Sequence, residues 1–196
     1  SNVYDNLSHY EESIQCLEQA LVISREGKSR VAEGRILNNL GNTYSNLGQY
    51  QKAIDYYKQA LAIKREVQDR LAEGNTVGSL ATAYWVTGEY QKAIDCYEQA
   101  LSISREVNDP SGEEAALWGL GDVYNSLDQY EKAIDYDKQA LAINQRIGKR
   151  KDRAGMLIGL GDAYRNLTRY ERALDCYGQA LVISREIKDQ ANEATT

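Results

Sequence analysis

The chain has 196 residues, of which 42% are hydrophobic, and its net charge of −6 gives a pI near 5.0. This acidic balance argues against the broad basic surface that nucleic-acid binding requires, and the one basic run, at 148–153, is typical of a solvated loop. No run of about eighteen apolar residues that could span a bilayer is present, so we expect no membrane contact.

The sequence repeats with a period of forty residues. Residues 39–63 read NLGNTYSNLGQYQKAIDYYKQALAI, and residues 119–143 read GLGDVYNSLDQYEKAIDYDKQALAI. A fixed period of this size indicates a solenoid, in which each unit buries its apolar face against the next. Two tyrosine series and one alanine series recur at this interval: Tyr4, Tyr44, Tyr84, Tyr124 and Tyr164; Tyr10, Tyr50, Tyr90, Tyr130 and Tyr170; and Ala20, Ala60, Ala100, Ala140 and Ala180.

The period divides the chain into a single array. We expect 1–30 to be a partial first repeat, formed by the end of one helix and a complete second helix. Residues 191–196 align with the opening of a further repeat. Neither end has the polar face of a capping repeat, so we expect the chain to be a segment of a longer array. The full repeats are predicted at 31–70, 71–110, 111–150 and 151–190.

Within 31–70 the spacing predicts two antiparallel helices, each of about 17 residues and roughly 25 Å long. Apolar residues at intervals of three and four form one face of the first helix, which Gly48 ends in the left-handed conformation. The second helix begins near Tyr50 and extends to about Val67. The predicted core positions are Leu37, Leu40, Tyr44 and Leu47 in the first helix, and Ala53, Tyr57, Ala60, Leu61 and Ile63 in the second.

The corners between helices carry recognisable residues. Asp69 is placed to cap the first helix of the next repeat, and Pro110 follows Asp109 at a first helical position, where its missing N–H does no harm. Asp128 and Thr168 stand where two other repeats have a turn glycine. Side chains disfavour the left-handed conformation, so these two corners are predicted to be strained or loosened.

Small residues in the middle of helices predict close contacts between them. Gly41, Gly121 and Gly161, with Ala81 in the second full repeat, occupy one such position, and glycine there usually marks a contact too tight for a side chain. Asp137 stands where the other repeats place a tyrosine, so we expect it to be half-exposed. The tyrosines at that position are Tyr57, Tyr97 and Tyr177.

The three cysteines, Cys16, Cys96 and Cys176, lie eighty residues apart and alternate with tyrosines at one packing position. They are interpreted as apolar fillers of that position and not as a disulfide framework. This usage is typical of a reducing compartment, and we expect a cytoplasmic protein. With His9 as the single histidine, no Cys/His metal cluster is expected.

These residues resemble the tetratricopeptide repeat family, whose pattern is a large apolar residue, then L-G-x2-Y, then A-x3-[FY]. The period of forty is similar to the longer-helix type found in kinesin light chains, LGN/Pins scaffolds and bacterial arrays. The family's proline near the end of the second helix is absent. The resemblance implies an all-α right-handed solenoid of stacked antiparallel helix pairs that holds an extended or helical peptide in its concave groove. The matching residues are Leu37, Leu40, Gly41, Tyr44, Ala53 and Tyr57, then Val77, Leu80, Ala81, Tyr84, Ala93 and Tyr97.

No catalytic pattern is found, and we predict that the chain is not an enzyme. His9 is far in sequence from every cysteine, and the segment GLGDAY at 159–164 lacks the third glycine and the preceding strand of a phosphate-binding loop. We therefore expect no cofactor and no bound metal.

One polar face of the first helices changes from repeat to repeat and is predicted to line the groove. Its asparagine amides suit a peptide backbone, and Asp122 and Asp162 favour a basic ligand, although Arg165 can pair with Asp162. Trp85 and Trp118 either anchor a ligand or pack between neighbouring helices. We call this face the stripe: Arg35, Asn38, Asn42, Ser45; Asn75, Gly78, Thr82, Trp85; Ala115, Trp118, Asp122, Asn125; and Gly155, Ile158, Asp162, Arg165.

The predicted function is a protein-interaction scaffold that binds a peptide segment of a partner, basic or aromatic in character, on this stripe. One alternative is a sensor or adaptor arm of a larger signalling ATPase or protease-like protein. A second alternative is a structural solenoid that self-associates through its uncapped ends.

Overall fold

A computed structural model describes residues 2–193 of the chain, and side chains within 9–150 and 152–188. Within these residues the backbone is helical throughout, apart from short corners, which confirms the all-α prediction. The helices are α1 (Asn2–Glu26), α2 (Arg30–Asn46), α3 (Tyr50–Glu66), α4 (Arg70–Val86), α5 (Tyr90–Glu106), α6 (Pro110–Ser126), α7 (Tyr130–Ile147), α8 (Arg150–Asn166) and α9 (Tyr170–Glu193).

Two compact units make up the chain, Ser1–Val107 and Asn108–Thr196. In the first unit α2 packs on α3 and α4 on α5, and α3 also packs on α4. In the second unit α6 packs on α7, α8 on α9, and α7 on α8. Each predicted full repeat therefore contains one helix pair joined by a short corner.

The ends of the helical array differ from the expected arrangement. Where the end of one helix and a second helix were expected in 1–30, the structure has the single helix α1. Ser8, which stands at the position of Gly48, remains helical, so no corner forms there. The corner expected ahead of 191 likewise falls inside α9, which continues to Glu193. The side chains of Tyr4 and of 191–196 lie outside the described residues.

The predicted core of the first full repeat is correct in nearly every position. Of the nine residues assigned to it, Leu47 is half-buried and the others are buried. Tyr44 stacks on Tyr56 with ring centroids 5.3 Å apart, and Tyr124 stacks on Tyr136 in the same way in the second unit. Tyr56 and Tyr136 occupy the repeat position that the cysteines occupy in the other repeats. All three cysteines are free thiols: Cys16 is exposed, Cys96 is half-buried and Cys176 is buried.

The mid-helix glycines meet the second helix as predicted. A Cβ added to Gly41 would lie 2.5 Å from Cε1 of Tyr57, and one added to Gly161 would lie 2.6 Å from Cε1 of Tyr177. Real Cβ atoms essentially never approach another atom so closely. The glycine backbone thus forms the surface on which the buried tyrosine ring packs.

Predicted caps and left-handed corners are also present. The side chain of Asp69 accepts a hydrogen bond from the backbone N–H of Ala72, and Pro110 begins α6 behind the capping Asp109. Asp128 and Thr168 both adopt φ of 58°, the left-handed region that glycine occupies in the equivalent corners. The strain predicted there has its physical basis in these two side chains.

A buried glutamate joins successive second helices in the first unit. Glu73 is almost fully buried and accepts from Arg65 at 2.8 Å and from Arg70 at 2.6 Å, while Arg70 also pairs with Glu106 at 2.5 Å. Burial would raise the pKa of Glu73, but the two arginines outweigh it and lower the pKa. Glu33 has the same arrangement one period earlier. None of the helices in the described part of the chain is long and apolar enough to cross a membrane.

The glycine contact predicts opposite effects for two glycines at different positions in neighbouring repeats. Gly41→Ala should lower the free energy of unfolding by about 1–3 kcal/mol, because the Tyr57 ring must move. Gly78→Ala should raise it by up to about 1 kcal/mol, because nothing lies within 4 Å of the added Cβ and alanine favours the helix. Urea unfolding measures both, and equal effects would contradict the contact.

The left-handed corner at Thr168 predicts a stabilising substitution. Thr168→Gly should raise the free energy of unfolding by about 1 kcal/mol, because a β-branched residue at φ of 58° is strained. For a chain of this size the melting temperature should rise by about 2–4 °C. The reverse substitution at the equivalent corner, Gly48→Thr, should lower it by a similar amount, and an unchanged pair of melting curves would show that the corners carry no strain.

Candidate functional site

The stripe lies at the surface of both units. In the first unit Arg35, Asn42, Asn75 and Thr82 are exposed, while the other stripe residues there are half-buried. In the second unit Ala115, Ile158 and Arg165 are exposed, and the remaining members are half-buried. No described stripe residue is buried, so these side chains are accessible along the first helix of each pair.

Tyrosines of the second helices, buried or partly buried, reach the stripe through their hydroxyl groups. Tyr57 donates to Oδ1 of Asn42 at 2.8 Å, and Tyr177 donates to Oδ1 of Asp162 at 2.7 Å. The hydroxyls of Tyr97 and Thr82 lie 2.9 Å apart and form a hydrogen bond in which either group can donate. Each of these side chains at the stripe surface is therefore held in position by the core of its own repeat.

A buried lysine, which the sequence analysis did not single out, holds a further stripe residue, Asn38, in position. Lys64 donates to Oδ1 of Asn38 at 3.2 Å, to the carbonyl of Ala72 at 3.1 Å and to the hydroxyl of Thr76. Thr76 also donates to Oδ1 of Asn38 at 2.7 Å. Burial lowers the pKa of Lys64. The other repeats have serine or asparagine at the position of Lys64. This difference in the sequence could have indicated that Lys64 has a particular role.

These contacts refine what the asparagines offer a ligand. The sequence reading expected both a donor and an acceptor from each amide. In the described part of the chain the oxygens of Asn38 and Asn42 already accept hydrogen bonds, whereas their amide nitrogens have no partner. What remains on the stripe is the N–H donor of each, which suits a peptide carbonyl.

The tryptophan on α6 packs between neighbouring first helices. A Cβ added to Gly155 of α8 would lie 3.0 Å from Cζ2 of Trp118, so the indole rests on the glycine backbone while remaining partly exposed. Trp85 on α4 is also partly exposed. Of the two roles considered for the tryptophans, packing between helices thus applies to Trp118, which keeps part of its surface for contact.

Asp137 corrects the sequence reading most clearly. It was expected to be half-exposed, but its relative exposure is 0%. An aspartate is short enough to fit below the surface, and its carboxylate packs directly on Gly121, where an added Cβ would overlap Oδ1. Neither carboxylate oxygen has a hydrogen-bond partner among the described residues, and neither does the buried Oδ1 of Asn125, whose amide nitrogen donates to the carbonyl of Gly159 at 3.5 Å.

Two family models, both described as tetratricopeptide repeat, match the chain, one at residues 2–66 and 73–146 and the other at 157–191. The chain belongs to the tetratricopeptide repeat family. Each unit accordingly has the all-α fold of stacked antiparallel helix pairs that the sequence predicted. A search of curated proteins finds no match.

Solved structures of other tetratricopeptide repeat proteins share this fold. A kinesin light chain from Podosopora anserina with nearly identical repeats is 22% identical, with a TM-score of 0.72 over 95% of this chain and 92% of that one. A Rap protein complexed with competence and sporulation factor is 19% identical, with a TM-score of 0.82 over 94% of this chain and 52% of that one. A signal transduction ATPase with a tetratricopeptide repeat sensor from Pyrococcus horikoshii is 23% identical, with a TM-score of 0.79 over 93% of this chain and 28% of that one.

Asp162 and His9 each lie beside a charged side chain on their own helix. Asp162 pairs with Arg165 at 3.3 Å, as the sequence reading allowed. His9 is exposed, with Nδ1 3.9 Å from Glu12. Across the residues that the structure describes, no three His, Cys, Asp or Glu side chains are grouped to hold a metal ion.

Asp137 occupies the aromatic position of the tetratricopeptide repeat pattern, and its pKa is far above the ordinary value of an aspartate. Burial, with a smaller contribution from the charge of Asp122, raises the pKa of Asp137 to about 8. Burial alone raises the pKa of Asp122 to about 6. The titratable groups that face Asp137 are Asp122 on α6 and Cys176 on α9, and Asp137 helps to raise the pKa of that thiol.

These values predict that the second unit loses stability as the pH rises. Between the ordinary aspartate pKa of 3.8 and about 8, the folded state keeps a proton on Asp137 that the unfolded state releases. The stabilisation is complete below this window and is lost as the pH rises through it, with a slope of about 1.4 kcal/mol per pH unit. Unfolding in urea at several pH values between about 6.5 and 8 measures the slope of Asp137, because Asp122, whose pKa is about 6, is already largely ionised there.

Two variants test the assignment to Asp137. Asp137→Asn should flatten the slope, and Asp137→Tyr should both flatten it and raise stability at pH 8, because the ring can pack on Gly121 and the hydroxyl can donate to Asp122. Tyr177→Asp is the matched control and should introduce a slope of the same sign. A wild-type slope that persists in Asp137→Asn would show that another group causes it.

Proposed function

We propose that the chain is a protein-interaction module that binds a peptide segment of a partner on the stripe. The observation that carries this proposal is the set of tyrosine hydroxyls that hold Asn42, Thr82 and Asp162 in place while these side chains stay accessible. Side chains already held in one conformation lose little entropy on binding a ligand, which favours affinity.

The family and its members support the same proposal. A Rap protein of this fold was solved as a complex with competence and sporulation factor. For the present chain we propose a short segment with exposed backbone carbonyls, which the amide nitrogens of Asn38 and Asn42 would bind. A short segment is expected to bind with micromolar affinity, about −8 kcal/mol. We include a cytoplasmic location in the proposal, because the cysteines are free thiols.

Two further functions have some support. The similarity to the ATPase with a repeat sensor, where the alignment covers 28% of the ATPase chain, favours a role as the sensor arm of a larger signalling protein. Such a role is compatible with peptide binding. The outer face of α9 exposes Leu174, Leu181 and Val182, which favours self-association. Light scattering over a concentration series tests self-association separately from peptide binding. A chain that remains monomeric at high concentration would exclude self-association.

The proposal predicts that a displayed library of random twelve-residue peptides yields binders that need the stripe. Asn42→Ala and Trp85→Ala in the first unit, and Trp118→Ala in the second, should each weaken selected peptides by about tenfold, equal to 1.4 kcal/mol. Fluorescence anisotropy of labelled peptides measures the affinity, and circular dichroism verifies that each variant is folded.

The matched control is Gln59→Ala, an exposed residue of α3 outside the stripe, which should leave the affinity unchanged. The proposal is wrong if the library yields no binders, or if the selected peptides bind the stripe variants as well as they bind the wild type.

A further inference from the structure

The second unit contains a group of buried acceptor oxygens without a donor. Among the described residues the orphaned buried side-chain atoms are Oδ1 and Oδ2 of Asp137 and Oδ1 of Asn125. They lie on α7 and on the stripe face of α6, in one repeat. Leaving such atoms unpaired costs free energy, about 1–3 kcal/mol each and more for a charged group. A ligand that supplies donors would recover that cost.

The geometry brings a stripe carboxylate to the same place. A Cβ added to Gly159 of α8 would lie 3.7 Å from Oδ1 of Asp122 and 3.8 Å from Oδ2 of Asp137. Both carboxylates therefore face one point beside a residue that has no side chain. Asp122 is half-buried and belongs to the stripe, whereas Asp137 is fully buried, so a ligand would approach past Asp122.

The equivalent site in the first unit is filled by the protein itself. There Tyr57 occupies the position of Asp137, its hydroxyl donates to Asn42, and Ser79 stands where the second unit has Gly159. In the second unit the aromatic ring, the hydroxyl donor and the serine side chain are all missing. The site thus lacks a donor for its acceptor oxygens.

The chemistry of the site selects a compact cation that only donates hydrogen bonds. Asp122, Asp137 and Asn125 present acceptor oxygens, and a primary ammonium group has three donors and no acceptor. The neighbouring basic side chains are engaged elsewhere: Lys138 lies over the ring of Tyr164, and Arg165 pairs with Asp162. Calcium takes six to eight oxygen ligands, more than this group supplies, and a guanidinium is larger and planar.

We propose that Asp122, Asp137 and Asn125, with Gly159 as the open wall, form a binding site for a primary ammonium group. The group is either the end of a lysine side chain in a bound peptide or a free alkylamine. The lysine case rests on the proposed function, since it requires a peptide on the stripe. The free amine case does not.

The test uses the full chain with n-butylammonium chloride as the probe and sodium chloride at equal concentration as the reference. The ¹³C resonance of the Asp137 carboxyl group reports its titration. Because the ammonium binds the ionised carboxylate, the apparent pKa should fall by about 1 unit when the amine is at ten times its dissociation constant, and not with sodium chloride. Equal shifts with both salts, or no shift, would overturn the site.

Gly159→Ala is the decisive variant. It keeps every acceptor, and its methyl group makes only ordinary contacts with both carboxylates, so the protein should fold at least as well as the wild type. The methyl group occupies the position of the ammonium, so the shift with butylammonium should disappear. Asp162→Asn, which removes the other stripe carboxylate, should leave the shift intact. A full shift in Gly159→Ala would place the amine elsewhere and overturn the site.

Peptides distinguish the two sources of the ammonium group. If lysine is the ligand, peptides selected on the stripe should contain it, and acetylation of that lysine should weaken binding at least tenfold in the wild type but not in Gly159→Ala. If butylammonium shifts the pKa and acetylation has no effect, the site binds free amines. Selection of peptides without any butylammonium response would support the proposed function and reject the ammonium site, so the two can fail separately.

Discussion

The contact on which the rest of the structure depends is that of a small residue on the first helix with a tyrosine ring on the second helix of the same pair. The small residue is glycine in the first and fourth full repeats and Ala81 in the second. Because Gly41 has no side chain, Tyr57 can pack directly on α2, and Gly161 and Tyr177 repeat the arrangement in the second unit. The close approach buries the ring and also determines where its hydroxyl emerges. Since the hydroxyl emerges at the stripe, the core and the proposed binding surface are parts of one arrangement.

The third full repeat keeps the glycine and loses the tyrosine. Gly121 still allows a close approach, but the group that packs on it is the carboxylate of Asp137. Two consequences follow from this single replacement. The core acquires a buried acid whose pKa rises to about 8, and the stripe loses the hydroxyl that would have donated to Asp122. Stability and ligand chemistry are therefore coupled at this position.

The helices, their caps, the core and the family could be predicted because they depend on residues that recur at fixed spacing. Asp69 and Pro110 act within a few residues of themselves, and the Gly41 contact lies within one repeat. The burial of Asp137 could not be predicted in this way, because α8 of the following repeat packs on α7 as well and brings Gly159 beside the carboxylate. The same limit applies to Trp118, which packs on Gly155, and to Asn38, whose oxygen accepts a hydrogen bond from Thr76 of the following repeat.

The tyrosine contacts also change which stripe positions are free to determine specificity. Asn42, Thr82 and Asp162 differ in side chain, yet each is placed to accept the hydroxyl of its tyrosine. Variation at this position is restricted to groups that can accept, so it carries less information about a ligand than the sequence alone suggested. The positions one turn to either side have no such common duty. Ser45, Trp85, Asn125 and Arg165 share one of these positions, and their differences in size and charge are where selectivity between partner segments should reside.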